Sequence, residues 1–190
     1  IDQRRQHFCL LAQGKIALEP ASSLNQAPPP LPENWDFERV EGMLLGLAIG
    51  DALGNTTESQ FPAARRQSHG EIRDYLPNRY ANGRPVGLPS DDSQVALWTL
   101  EQLLEDGGVV PDHLARKFTE QQIFGIGSTV KAFLRSYKDQ GLPWEQSGQP
   151  SAGNGALMRI APVLIPHLRQ PSAELWVDAA LAGMVTHNDR

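Results

Sequence analysis

The sequence has 190 residues, of which 40% are hydrophobic and 21% are charged, and its formal net charge is -5 at pH 7. These values describe a soluble globular protein of one domain or slightly more. The acidic balance argues against general nucleic-acid binding, and no apolar run approaches the roughly 20 residues of a membrane-spanning helix. The single cysteine, Cys9, excludes an internal disulfide and is typical of a reducing compartment, so we expect a cytoplasmic protein.

Residues 1–36 differ from the rest of the chain and are predicted to form an N-terminal extension that ends in a proline-rich linker. The stretch DQRRQHFCLLAQG places Phe8, Leu11 and Ala12 on one face of a short helix that stops at Gly14. The stretch EPASSLNQAPPPLPENW favours an extended segment. The extension is interpreted either as a tail or packing strap, or as an arm that reaches a partner or covers a cleft. The domain proper is predicted to span 37–190.

The stretch FERVEGMLLGLAIGDALG is predicted to be a helix with Asp36 as its N-cap. Apolar residues recur there every three or four positions and indicate one buried face, formed by Phe37, Val40, Leu44 and Leu47. Asp51 continues this row, and a carboxylate on a buried face needs a hydrogen bond, an ion pair or a metal. Glycines recur at 42, 46, 50 and 54, and the ordinary interpretation of this row is close packing of another helix.

Two adjacent carboxylates, Asp91 and Asp92, stand where a long loop turns into an apolar helix. The loop, 59–89, is rich in glycine and proline and is predicted to be irregular, apart from a short piece at GEIRDYL. In the stretch SDDS, Ser90 can cap the helix, and the two acids suit the positive end of the helix dipole. Oxygen ligands in this pattern equally suit a hard cation. Leu97, Leu100 and Leu104 are predicted to form one apolar stripe of the helix.

The remaining segments are predicted to be helices separated by glycine-rich turns. The stretch PDHLARKFTEQQ begins a helix at Pro111, and FGIGS leads into a helix with Val130, Phe133 and Leu134 on its inner side. The stretch ALMRIAPVLIPHL is predicted to be a helix interrupted at Pro162, and SAELWVDAALAGMVTH a helix buried on most sides. Because the sequence shows no strand alternation of any length, we predict an all-α fold.

Motifs for several other chemistries are missing from the sequence. It contains no zinc-spaced cysteine and histidine cluster, no HExxH, no GxSxG and no Walker loop. What remains is an oxygen-rich set that favours Mg²⁺ or Mn²⁺: Asp51, Glu58, Ser90, Asp91 and Asp92. The turn FGIGS suits an anion such as a phosphate, and an ordinary turn is the simpler interpretation of it.

Five motifs, in this order, resemble the ADP-ribosylglycohydrolase family, which includes the dinitrogenase reductase-activating glycohydrolases: GMLLGLAIGDALGNTTE, GLPSDDS, FGIGS, AGNGALMRIAP and VTHND. The resemblance covers nearly everything after the linker, but only about the first half of a typical family domain. The family's later Asp-x-Asp-Thr/Ser segment is absent, and SDDS replaces the commoner Thr-Asp-Asp-Thr. The resemblance implies an orthogonal α-helical bundle, incomplete in this chain, with two Mg²⁺ ions in a central cleft.

The same resemblance implies roles for individual residues. The implied metal ligands are Ser90, Asp91 and Asp92. Glu58 and Asp92 are the implied catalytic residues, and Asp51 is a buried support beside them. The implied contacts to the diphosphate and riboses of the substrate are Gly125, Gly127, Ser128, Gly153, Asn154, Gly155, Met158 and His187.

The resemblance implies a Mg²⁺-dependent hydrolase that removes ADP-ribose from modified protein side chains, with arginine as the expected acceptor. Cleavage of this bond develops positive charge on the ribose, which a carboxylate stabilises directly or by activating water. The implied alternative is an immunity protein that blocks an ADP-ribosyltransferase toxin through residues 1–36, with or without hydrolysis. We also expect a companion C-terminal fragment with the remaining metal ligands, without which this chain should hydrolyse poorly.

Overall fold

A computed structural model describes residues 9–17 and 22–189, and within these residues the chain is mostly helical. The prediction of an all-α fold is therefore confirmed. The α-helices are α1 (Glu38–Gly54), α2 (Pro62–His69), α3 (Asp91–Asp106), α4 (Pro111–Glu120), α5 (Ser128–Leu134), α6 (Trp144–Ser147), α7 (Ile160–Val163) and α8 (Glu174–Met184). Tighter 3₁₀ turns lie at Ser22–Asn25, Asn55–Thr57, Arg79–Ala81, Asn154–Arg159 and Ile165–His167, and a π-helical turn at Arg135–Asp139.

The long loop 59–89 is more regular than its sequence suggests. It contains α2, which starts at Pro62 and stops at Gly70, where φ is +63°. It also contains two short antiparallel strands, β1 (Pro77–Asn78) and β2 (Arg84–Pro85). The predicted element at GEIRDYL is wrong, because 70–76 forms neither helix nor strand. Proline at a first helical position and glycine just after the end are general helix signals, so α2 was visible in the sequence.

Helix α3 lies at the centre of the packing and contacts α1, α4, α7 and the turn Asn154–Arg159. The predicted apolar stripe is not the face that α3 buries, because Leu97 and Leu104 are 43% and 76% exposed. The buried side chains of α3 are instead Ser93, Val95, Ala96, Trp98, Thr99, Gln102 and Leu103. The apolar periodicity of a helix identifies a face, but the neighbouring elements decide which face is covered.

Helix α1 is less buried than predicted. Phe37 is 39% exposed and packs beside Trp35, with the guanidinium of Arg169 4.3 Å from its ring centre. Of the residues in α1, Ala52 alone is buried within the described part of the chain. Asp36 does accept a hydrogen bond from the backbone N–H of Glu38, at 2.9 Å. Helix α1 therefore packs against the rest of the domain mainly through its C-terminal end, where Ala52 lies.

The later helices largely follow the sequence prediction. Pro111 opens α4, and Val130 and Phe133 are buried on α5. The predicted helix around Pro162 is reduced to the four residues of α7 between 3₁₀ turns, since a proline disrupts the hydrogen bonding of a longer helix. In the described part of the chain, no helix combines the length and the apolar character needed to cross a membrane.

The described part of the N-terminal extension packs on the domain. Ile16 is 5% exposed and belongs to the hydrophobic core, and Leu10 and Leu11 pack against that core. The side chain of Asn188 accepts a hydrogen bond from Ala17 N–H (2.8 Å) and donates one to the carbonyl of Lys15 (2.9 Å). Of the two interpretations of the extension, these contacts favour a packing strap. The predicted helix that ends at Gly14 lies partly outside the described residues, of which 9–12 are helical.

Candidate active site

Asp51 joins α1 to the start of α3. Its carboxylate accepts hydrogen bonds from the backbone N–H and hydroxyl of Ser90 (2.7 and 2.6 Å) and from the same two groups of Ser93 (3.1 and 2.7 Å). The side-chain amide of Asn55 donates a further bond at 3.2 Å. Asp51 therefore satisfies free N–H groups at the N-terminus of α3, which an N-cap residue would ordinarily do.

This arrangement corrects the capping prediction for Ser90. The hydroxyl of Ser90 accepts no cap hydrogen bond from α3, and it donates to Asp51. Burial raises the pKa of Asp51, but the hydrogen bonds from Ser90 and Ser93 outweigh it and lower the pKa below its ordinary value of 3.8. Asp51 is thus held as a carboxylate.

The start of α3, the start of α5 and the turn before α7 surround a cavity of about 240 Å³. The lining residues are Glu58, Asp91, Asp92, Gly127, Ser128, Thr129, Val130, Gly153, Asn154, Gly155, Met158 and His187. All the residues with an implied catalytic or substrate-binding role lie here, except Gly125. One cavity therefore collects residues that are up to 129 positions apart, from Glu58 to His187.

Carboxylates crowd one side of this cavity. Burial raises the pKa of Asp91, and the charges of Glu58 and Asp51 raise it further. Burial also raises the pKa of Asp92, with additional contributions from the charges of Asp91 and Asp51. Among the described residues that line the cavity, none is a lysine or arginine that would neutralise these groups.

Gly125 and Ser90 lie behind the cavity instead of lining it. Gly125 has a φ of +86°, and a Cβ at this position would lie 3.0 Å from Oδ1 of Asp91 and 3.3 Å from Cβ of Ser90. A side chain at position 125 would therefore press on Asp91 as well as strain the backbone. The structure thus places Gly125 against Asp91 and outside the set of residues that line the cavity.

The opposite wall is formed by glycines and a histidine. A Cβ on Gly155 would lie 3.1 Å from Cε1 and 3.2 Å from Nε2 of His187, and one on Gly153 would lie 3.7 Å from Nε2. The backbone N–H of Gly153 donates to the hydroxyl of Ser151 at 3.3 Å. The absence of side chains at 153 and 155 leaves the edge of the His187 ring open to the cavity.

Sequence reasoning missed Arg159, which lies directly behind this wall. Its side chain is fully buried and donates hydrogen bonds to the carbonyls of Ala182 and Gly183 and to the hydroxyl of Thr186. Burial lowers the pKa of Arg159 to about 9. The signal was available, because Arg159 is the one charged residue in the apolar stretch ALMRIAPVLI, and a buried charge needs partners.

The glycine row of α1 does not pack as predicted. A Cβ at Gly42, Gly46, Gly50 or Gly54 would meet no atom within 4 Å among the described residues. A second cavity, of about 420 Å³, runs along this row and shares Glu58 and Asp92 with the first. The row is therefore an open surface that continues into the acidic side of the site.

The described residues contain no group of three or more His, Cys, Asp or Glu side chains arranged as a metal site. Asp91 and Asp92 supply two carboxylates at the start of α3, and Glu58 supplies a third from the chain after α1. Ser90, an implied ligand, directs its hydroxyl hydrogen to Asp51. Asp91, Asp92 and Glu58 therefore bring three carboxylates to the lining of one cavity.

Comparisons with known proteins identify the family of the chain. The family model of the ADP-ribosylglycohydrolases matches residues 32–190, so the chain belongs to the ADP-ribosylglycohydrolase family. It is 34% identical over 156 residues to an uncharacterized protein of Archaeoglobus fulgidus, covering 79% of this chain and 50% of the relative.

Two further relatives have named activities. The chain is 31% identical over 163 residues to the ADP-ribosylarginine hydrolase Tri1 of Pseudomonas putida, covering 80% of this chain and 42% of the relative. It is 30% identical over 155 residues to the ADP-ribosyl-[dinitrogen reductase] glycohydrolase of Rhodospirillum rubrum. The match covers 80% of this chain and 52% of the relative. The chain thus spans about half the length of the curated relatives it matches.

Proposed function

We propose that this chain forms the N-terminal part of a hydrolase that releases ADP-ribose from the arginine side chains of modified proteins. The observation that supports the proposal is the single cavity in which Glu58, Asp91 and Asp92 face Gly153–Gly155 and His187. The arginine acceptor is supported by the name of the Pseudomonas putida relative, an ADP-ribosylarginine hydrolase.

One wall of the cavity suits binding of the substrate, and the other suits cleavage of the bond. Gly127 and Ser128 stand at the start of α5, where the first backbone N–H groups have no partner within the helix. These groups and the open glycine turn Gly153–Gly155 would bind the oxygens of the diphosphate and ribose. The carboxylates of Glu58 and Asp92 would face the scissile bond, where positive charge develops on the sugar.

The hydrolysis requires one water molecule. Its oxygen forms a bond to the anomeric carbon of the ribose, while the bond from that carbon to the arginine nitrogen breaks. A carboxylate accepts the proton from the water, and the departing guanidine keeps the electron pair and takes up a proton. Glu58 and Asp92 are both exposed at the cavity, Glu58 on the chain after α1 and Asp92 in the first turn of α3. We assign Glu58 to the water and Asp92 to the cationic ribose.

The residues present fit one side of a Mg²⁺ site. Asp91 and Asp92 carry raised pKa values because they are partly buried beside other carboxylates, and a divalent cation would neutralise this crowding. Asp91 and Asp92, which line the cavity, would hold the ion, with Mn²⁺ as a substitute. Bound metal would supply Lewis acidity and orient the ribose hydroxyls and the water.

The open side of the site would be completed by a segment that corresponds to the part of the relatives' length outside the match. Leu45 and Ile49 on α1 are 55% and 49% exposed. No described element packs against the glycine row beside them. A segment packed there would bring its own ligands to Glu58 and Asp92. We place the remaining oxygen ligands of the metal on that segment.

The toxin-blocking alternative receives less support. Residues 9–17 are held by the core contact of Ile16 and by the hydrogen bonds of Asn188, and the indole N–H of Trp176 donates to the carbonyl of Gln26 at 2.7 Å. An arm that inserts into a partner would first have to give up these contacts. We therefore assign the described extension to the fold of the hydrolase.

The proposal is tested by incubating the full-length protein with an ADP-ribosylated arginine peptide and measuring free ADP-ribose by liquid chromatography. We expect release that stops when a chelator removes divalent ions and resumes when Mg²⁺ is restored. A folded full-length protein that releases no ADP-ribose under any of these conditions would contradict the proposed function. Release that a chelator leaves unchanged would contradict the metal assignment alone.

A further inference from the structure

We infer that Arg159 and Thr186 are positioning residues that hold His187 as a neutral imidazole with its hydrogen on Nε2, so that it presents an N–H donor to an oxygen of the bound ADP-ribose. The identity of the ligand rests on the proposed function. The protonation pattern itself follows from the hydrogen bonds behind the cavity wall.

The chain of hydrogen bonds begins at Arg159. A guanidinium has only donors, and Nη2 of Arg159 lies 2.6 Å from Oγ1 of Thr186 and 2.8 Å from the carbonyl of Gly183. Nε donates to the carbonyl of Ala182 at 2.7 Å. The hydroxyl of Thr186 must therefore accept from Arg159, which leaves its own hydrogen free to donate.

Among the described residues, the hydroxyl hydrogen of Thr186 has one acceptor within hydrogen-bond distance, which is His187. Nδ1 of His187 lies 2.7 Å from Oγ1 of Thr186, and Thr186 is fully buried. If Nδ1 carried the hydrogen, the hydroxyl would accept two bonds and its own hydrogen would have no acceptor among the described residues. An unpaired buried donor is costly, so Nδ1 acts as the acceptor and the hydrogen of the ring lies on Nε2.

The charge state of His187 follows from the same surroundings. Burial lowers the pKa of His187 below its ordinary value of 6.5, and the positive charge of Arg159 lowers it further. A doubly protonated ring would also direct an N–H at a hydroxyl that already receives one from Arg159. The neutral form with hydrogen on Nε2 is therefore the form consistent with both contacts.

His187 lines the cavity, and Nε2 is the ring nitrogen that the hydrogen bond to Thr186 does not use. Among the described residues it has no hydrogen-bond partner, and the positions that a side chain could have filled beside it are Gly153 and Gly155. Behind the ring, the backbone N–H of Gln149 donates to the carbonyl of Thr186 at 2.9 Å and fixes the chain. The contacts to Thr186 thus fix the ring of His187, and its Nε2–H is left available to donate to an oxygen of a ligand.

The test compares the variants Thr186→Val and Thr186→Ser in the full-length protein. Valine keeps the volume of threonine and removes the hydroxyl, whereas serine retains the hydroxyl. Long-range ¹H–¹⁵N correlation spectra of histidine-labelled protein report which ring nitrogen carries the hydrogen, and a His187→Gln variant identifies the signals of His187. Circular dichroism confirms that each variant is folded.

We expect hydrogen on Nε2 of His187 in the natural protein and in Thr186→Ser, and a mixture of the two neutral forms in Thr186→Val. The affinity for ADP-ribose, measured by calorimetry, should fall about three- to tenfold in Thr186→Val and recover in Thr186→Ser. Hydrogen on Nδ1 in the natural protein, or an unchanged pattern in Thr186→Val, would overturn the inference. Absence of ADP-ribose binding in every form would count against the proposed function, while the spectra would still decide the state of His187.

Discussion

The carboxylate of Asp51 accepts the hydroxyl hydrogen of Ser90 at 2.6 Å and its backbone N–H at 2.7 Å, which locks the end of α1 to the start of α3. The next two residues of α3, Asp91 and Asp92, consequently leave the helix end at the edge of the acidic cavity. Asp51 does not line this cavity. Both of its carboxylate oxygens already accept hydrogen bonds from Ser90, Ser93 and Asn55, so it positions Asp91 and Asp92 indirectly.

Replacing Asp51 by alanine should destabilise the fold by about 2–4 kcal/mol, because the partly buried hydroxyl and N–H groups of Ser90 and Ser93 lose their acceptor. The measurement is the free energy of unfolding in urea. Glu105→Gln, an exposed change on the same helix, is the matched control and should stay within about 0.5 kcal/mol of the natural protein. Equal stability of the two variants would show that the lock contributes nothing.

The contribution of Asp51 should also depend on pH in a defined direction. Its pKa is lowered in the folded protein, so the unfolded chain binds more protons as the pH falls. The stability advantage over Asp51→Asn is therefore fully present above the ordinary pKa of 3.8, and it is lost as the pH falls through the lower folded value. Urea unfolding of both proteins over an acid series measures the difference. An advantage that persists unchanged at the acid end would contradict this sign.

Two glycine-to-alanine changes should have opposite effects. Gly125→Ala forces a residue with a φ of +86° to accept a side chain against Asp91, and we expect a loss of about 1–3 kcal/mol. Gly42 lies inside α1, where a Cβ would meet no atom of another described element within 4 Å, so in the 190-residue chain alanine there should add about 0.5–1 kcal/mol. Thermal unfolding separates the two cases, and a gain from Gly125→Ala would refute the close contact with Asp91.

The N-terminal strap should contribute to stability. Ile16→Ala removes a side chain that is 5% exposed in the core, and we expect a cost of about 2–4 kcal/mol. Cys9→Ala, at an exposed position of the same segment, is the control and should change stability little. If Ile16→Ala behaved like Cys9→Ala, the extension would not be anchored as described.

Much of the site was visible in the sequence, but for two different reasons. The grouping of Glu58, Asp92 and His187 was expected from the order of family motifs, and the structure brings them to one cavity. The need of Asp51 for polar partners was expected from elementary chemistry, because a carboxylate on an apolar helix row must be satisfied. The sequence did not reveal that Ser90 and Ser93 are those partners, since the contact joins segments 39 and 42 positions apart.

The errors concern packing that depends on neighbours. Leu97 and Leu104 form a regular apolar stripe, yet both are exposed, whereas the polar side chains of Thr99 and Gln102 are buried. The glycines of α1 are spaced for close packing, yet no described element approaches them. In both helices the periodic pattern is present in the sequence. The pattern does not say which other element of the fold covers that face of the helix.

The most direct test of the acidic cavity as the hydrolytic site is the rate of ADP-ribose release from an ADP-ribosylated arginine peptide by the full-length protein and its Asp92→Asn variant. Asparagine keeps the size of the side chain and removes its charge, so we expect the rate to fall by at least about a hundredfold, while Glu105→Gln on the same helix remains as active as the natural protein. An Asp92→Asn protein that releases ADP-ribose at the natural rate would contradict the account.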